Sequence, residues 1–91
     1  GQDLFSNLFN LERLDLKHNV LKSLNPNLFK NLTNLKILHL SFNKLTHLNQ
    51  NLFENLIYLE QISLSKNLIE YIHELTFKNI LNLSEIIFHS N

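Results

Sequence analysis

Apolar residues recur along this chain in a fixed order. The pattern LxxLxLxxNxLxxLxxx(L)FxxLxx returns every 24 residues without a gap. Residues 11–34 read LERLDLKHNVLKSLNPNLFKNLTN, residues 35–58 read LKILHLSFNKLTHLNQNLFENLIY, and residues 59–82 read LEQISLSKNLIEYIHELTFKNILN. Residues 83–91, LSEIIFHSN, begin a fourth copy, and within residues 1–10 LFSNLFN matches the LFKNLTN of the copy that follows. Eight positions per copy are apolar, and across the three complete copies only Thr76 departs. A repeat of this length predicts one solenoid domain, in which each unit buries its apolar face against its neighbours.

Each copy opens with a period-two stretch such as Leu35-Lys36-Ile37-Leu38-His39-Leu40. Leu38 and Leu40 point to one side and Ile37, His39 and Ser41 to the other, which is the signature of a strand. The expected strands lie near 13–16, 37–40, 61–64 and 85–88, parallel and in one sheet. Leu14, Leu38, Ile62 and Ile86 then form one inward row, and Leu16, Leu40, Leu64 and Phe88 the next. The rest of each copy returns through loops and at most a short helical turn, carrying Leu45, Leu48, Leu52, Phe53 and Leu56 inward. Phe5, Phe29, Phe53 and Phe77 stack beneath the convex side.

The chain holds fifteen asparagines but one glycine and one proline, so asparagine shapes the turns. Asn19, Asn43, Asn67 and Asn91 close the strands, where the backbone leaves its ladder inside an apolar stack. An inward carboxamide there supplies two donors and an acceptor to the stranded peptide groups. Asn7, Asn31, Asn55 and Asn79 follow each phenylalanine by two residues, and are expected to take the left-handed conformation that ends a helical turn.

Eight basic and eight acidic side chains balance, which argues against an electrostatic grip on nucleic acid or on an anionic membrane. The apolar runs are too short to span a bilayer, and Gly1-Gln2-Asp3-Leu4 has no basic leader. Without cysteine there is no disulfide framework and no thiolate metal site. The five histidines, His18, His39, His47, His73 and His89, occupy five different places in the repeat, so no convergent metal site is expected. No cofactor is expected either, since no glycine-rich phosphate loop is present.

The consensus, with SFNKL and FKNLTNLKIL within it, resembles the typical 24-residue extracellular leucine-rich repeat, similar to the repeats of Toll-like receptor ectodomains. The resemblance covers essentially the whole chain. It implies an α/β horseshoe segment with a four-stranded parallel sheet on the concave face, loops or short turns on the convex side, and recognition of a protein ligand. The cysteine-stapled caps of such ectodomains are missing. The chain starts within one copy and stops after the strand of another, so it reads either as a piece of a longer array or as a unit that stacks on copies of itself into filaments. Two sequons, Asn31-Leu32-Thr33 and Asn82-Leu83-Ser84, are candidate glycosylation sites and favour an extracellular or cell-surface setting. A cytosolic scaffold stays open, because a chain without cysteine also suits a reducing compartment.

The outward strand positions form the candidate partner-binding face. Arg13, Ile37, Gln61 and Glu85 make one row, and Asp15, His39, Ser63 and Ile87 a second. Lys17, Ser41, Ser65 and His89 follow, and then His18, Phe42, Lys66 and Ser90. Apolar Ile37, Phe42 and Ile87 among charges have the character of anchors, although isolated exposed apolar residues are common on any surface. Asp15, His39 and Ser63 stand in the order of a hydrolytic triad. An open face without an oxyanion hole gives little catalysis, so no enzymatic role is expected.

Overall fold

A computed structural model describes residues 9–89. It contains four short strands, β1 (Arg13–Asp15), β2 (Ile37–His39), β3 (Gln61–Ser63) and β4 (Glu85–Ile87). They form one sheet in the order β1-β2-β3-β4. Every neighbouring pair is parallel, and Leu14, Leu38, Ile62 and Ile86 align across it. Each strand is one residue shorter than its alternating pattern, because the chain turns toward the corner asparagine.

That corner explains the asparagine row. Asn43 Oδ1 accepts the backbone N–H groups of Asn19 at 2.9 Å and Leu21 at 3.0 Å. Its Nδ2 donates to the carbonyls of Leu16 at 2.9 Å, Leu40 at 3.0 Å and Ser41 at 3.3 Å. Asn67 repeats the arrangement one copy later, donating to Leu40, Leu64 and Ser65 and accepting from Leu45. Both side chains are buried. Asn19 differs from the expectation. It is exposed and, among the described residues, its Nδ2 reaches only the carbonyl of Lys17, β1 being the edge strand of the described sheet. Asn91 lies outside the described residues, as do Ser90, Phe5 and Asn7.

The second asparagine row corrects its expectation. Positive φ among the described non-glycine residues falls on His18, Val20, Phe42 and Lys66, not on Asn31, Asn55 or Asn79. The return after each phenylalanine is instead a series of tight turns in register. Leu28 donates to Asn25, Lys30 to Asn27 and Leu32 to Phe29, and the same three bonds recur 24 residues later from Leu52, Glu54 and Leu56. They recur again from Thr76, Lys78 and Ile80. Turns closed this way need no left-handed residue. Asn55 contributes differently, by donating across to the carbonyl of Lys30 at 3.1 Å. Each turn series starts at a side-chain acceptor: Asn25 Oδ1 takes the N–H of Asn27, Asn49 Oδ1 that of Asn51, and His73 Nδ1 that of Leu75.

The core runs through the middle copy. Leu35, Leu38, Leu40, Leu45, Phe53 and Leu56 are completely buried. Phe29, Phe53 and Phe77 stack with ring centroids 6.3 and 5.6 Å apart, as expected of the convex spine. At the outer edge of β4, Ile86 remains 45% and Phe88 37% exposed.

Candidate recognition surface

The strands fix the outward side chains in rows. Arg13, Ile37, Gln61 and Glu85 are register partners, and so are Asp15, His39, Ser63 and Ile87. A neighbouring row begins with Glu12 and Lys36, whose charged groups approach to 3.8 Å. Arg13, Asp15, Lys17, Lys66 and Glu85 are exposed, while Ile37, His39, Gln61 and Ile87 are half-buried. Phe42 is 48% exposed. Its ring stacks on the imidazole of His18, with centroids 4.6 Å apart and planes 21° from parallel.

Three serines depart from the expected outward row. Ser63 is only 6% exposed, and Ser41 and Ser65 are buried as well. Ser63 Oγ is hydrogen-bonded to Ser41 Oγ. Ser65 Oγ accepts the backbone N–H of His89. A serine side chain ends one heavy atom beyond Cβ, so its longer neighbours shield it and its hydroxyl turns to the sheet. Ser63 therefore offers a partner little surface.

Asp15 accepts the backbone N–H of Lys17 at 3.0 Å, and the Lys17 ammonium stands 3.6 Å from its other oxygen. That backbone bond, with the Lys17 and His39 charges, holds its carboxyl below the ordinary aspartate value, against a smaller opposing effect of burial. Among the described residues no hydrogen bond joins His39 to Asp15 or Ser63, so the row does not assemble a hydrogen-bonded triad. Nor does any group of three or more His, Cys, Asp or Glu among them converge as metal ligands. No helix among them is long and apolar enough to cross a membrane. Of the two sequons, Asn82 is exposed and Asn31 half-buried, each in a turn on the return from the convex side.

Sequence reasoning missed the left-handed residues. His18, Phe42 and Lys66 each precede a corner asparagine with φ of 61°, 59° and 59°, and Val20 follows one at 57°. Neither imidazole, phenyl, ammonium nor isopropyl side chains advertise that conformation.

The BspA type leucine-rich repeat region matches residues 1–91 in six copies. Among curated proteins no relative matches the chain. Among solved structures, the leucine-rich repeat domain of APL1B is 30% identical with a TM-score of 0.96, over 100% of this chain and 27% of that one. Toll in its complex with Spatzle, from Drosophila, superposes with a TM-score of 0.79 at 20% identity, over 99% of this chain and 15% of that one. TLR13 in complex with ssRNA13 gives 0.69 at 32% identity, over 91% and 12%. The chain thus spans about a quarter of APL1B and less of the two receptors.

Proposed function

Because the chain belongs to the leucine-rich repeat family, we propose that it is a protein-recognition module whose partner seats on the concave face of the sheet. The observation that carries this reading is that the outward positions mix half-buried Ile37 and Ile87 and exposed Phe42 with exposed charges of both signs at Arg13, Asp15, Lys17, Lys66 and Glu85. Apolar side chains interspersed with charges of both signs suit a protein surface. A face that reads polyanions needs an excess of cations, and this chain carries as many acids as bases. Toll is solved with the protein Spatzle and TLR13 with an RNA, so the scaffold is compatible with either class of ligand. We place the module in an extracellular or cell-surface receptor-like array, with Asn31 and Asn82 as glycan acceptors that leave the concave face open. Its role is binding, not catalysis.

The test is site-specific photo-crosslinking in the native setting. A photoreactive residue at Ile37 or His39 should capture a discrete, saturable protein partner. The same group at Lys30, Glu54 or Lys78, exposed on the convex side, should not. Capture from the convex positions alone would move the site off the sheet. Ser63→Ala is the control for chemistry: ester hydrolysis that disappears in that variant alone would reopen an enzymatic reading.

A further inference from the structure

All four described non-glycine residues with positive φ lie at the corner where the chain leaves the sheet. His18, Phe42 and Lys66 precede the corner asparagines, and Val20, Lys44 and Leu68 follow them. Six side chains thus make two adjacent rows along one rim. Backbone bonds tie the rim to the neighbouring copies: Phe42 donates to Ser65 at 3.0 Å, Lys44 to Leu21 at 2.7 Å, and Leu68 to Leu45 at 2.8 Å. All six side chains are exposed, Val20 at 60% and Leu68 at 58%.

The composition of this rim is one-sided. It carries Lys44, Lys66 and His18 beside Val20, Phe42 and Leu68, and among the described residues neither row contains a carboxylate. The carboxylate of Asp15, on β1, already faces Lys17. Neither Lys44 nor Lys66 pairs with an acid among the described residues. Val20 and Phe42 hold large apolar groups out in water on a backbone in the left-handed region, a double cost, and such strain gathers where ligands are clamped. Deepening the reading above, on which it rests, we infer that this rim docks an acidic, aliphatic peptide segment of the protein partner, with carboxylates meeting Lys44 and Lys66 and apolar side chains covering Val20, Phe42 and Leu68.

A single-stranded nucleic acid is the rival anion, and the rim fits it poorly. One face of Phe42 is occupied by His18, Val20 and Leu68 offer no plane for a base to stack on, and the cations are lysines without the guanidinium fork that grips phosphate.

The experiment measures binding of the whole chain to labelled probes at low and moderate salt. The probes are a peptide alternating glutamate with leucine, one alternating glutamate with serine, and a single-stranded oligouridylate. Saturable binding of the Glu–Leu peptide alone is expected. Phe42→Ala, and Lys44→Glu combined with Lys66→Glu, should each weaken it on the order of tenfold or more, while unchanged melting shows that they remain folded. Equal binding of the Glu–Ser peptide, preference for the oligouridylate, or undiminished binding by the charge-reversed variant each overturns the proposal, as does absence of binding. Ile37→Asp separates the two readings. Loss in that variant but not in the charge-reversed one leaves recognition by the face standing and removes the rim. Loss in the charge-reversed variant but not in Ile37→Asp keeps the rim and removes the face.

Discussion

Asn43 accepts the backbone N–H of Asn19 through Oδ1 at 2.9 Å, joining residues one full copy apart. The two asparagines occupy equivalent places in their copies but unequal environments, since Asn43 is buried and Asn19 exposed. Asn43→Ala leaves the N–H groups of Asn19 and Leu21 and the carbonyl of Leu16 without this partner, while the carbonyls of Leu40 and Ser41 keep the bonds from Asn67 and His18. It should cost about 1–3 kcal/mol, against a few tenths for Asn19→Ala. Denaturant midpoints of the two variants check the asymmetry, and equal midpoints would remove the corner ladder as a source of stability.

Phe53 lies between Phe29 and Phe77 and is completely buried, whereas Phe77 is half-buried. Phe53→Ala should therefore cost about 3–5 kcal/mol, a large share of a small domain's margin. Phe77→Ala should cost clearly less. Thermal unfolding at matched concentration gives both values.

Thr76 replaces the leucine found at Leu28 and Leu52 in the other copies. It is 3% exposed, and its hydroxyl has no hydrogen-bond partner. Thr76→Val keeps the shape and removes the unpaired hydroxyl, so a gain of about 1 kcal/mol is expected. A loss would mean that water in the adjoining convex notch, lined by Gln50, Glu54 and Asn79 among others, satisfies the hydroxyl.

Lys66 holds φ at 59°. The left-handed region costs a non-glycine residue about 1–2 kcal/mol, and glycine gives back about 0.5–1 kcal/mol of that in chain entropy. Lys66→Gly should thus be neutral or stabilising by up to about 1 kcal/mol. Lys36→Gly, at a residue without positive φ, should destabilise. Opposite signs in a melting comparison confirm that the strain is real.

Asp15 has a lowered carboxyl value, set first by the backbone N–H of Lys17. A depressed aspartate contributes stability that is fully present above the unfolded-state value of about 3.9 and is lost as pH falls through the lower folded value. A carbon-detected titration should place the Asp15 midpoint below that of an unperturbed aspartate. Asp15→Asn should flatten the acid limb of the stability curve slightly, because solvent screens an exposed group.

The period alone made the strands, their register and the phenylalanine spine legible, since each depends on which residues recur rather than on what each one is. The corner role of Asn43 and Asn67 was readable for the same reason. Three features were not. The shielding of Ser41, Ser63 and Ser65 depends on the reach of neighbouring side chains, which a pattern of apolar and polar letters does not encode. The tight convex turns need no left-handed Asn31 or Asn55, and the left-handed residues His18, Phe42 and Lys66 share no chemistry that sequence could flag. His73 taking the acceptor role of Asn25 and Asn49 is visible only once the ring nitrogen is located.

The corner and ladder bonds of this sheet join each copy to the next and so lie along the stacking direction. A force pulling the two ends apart along that direction therefore loads the bonds in tension, one copy at a time, and not in concert as shear would. Under such a load the molecule should yield by peeling, each rupture releasing about one 24-residue unit, and on slackening that unit should wind back onto the face its neighbour still presents.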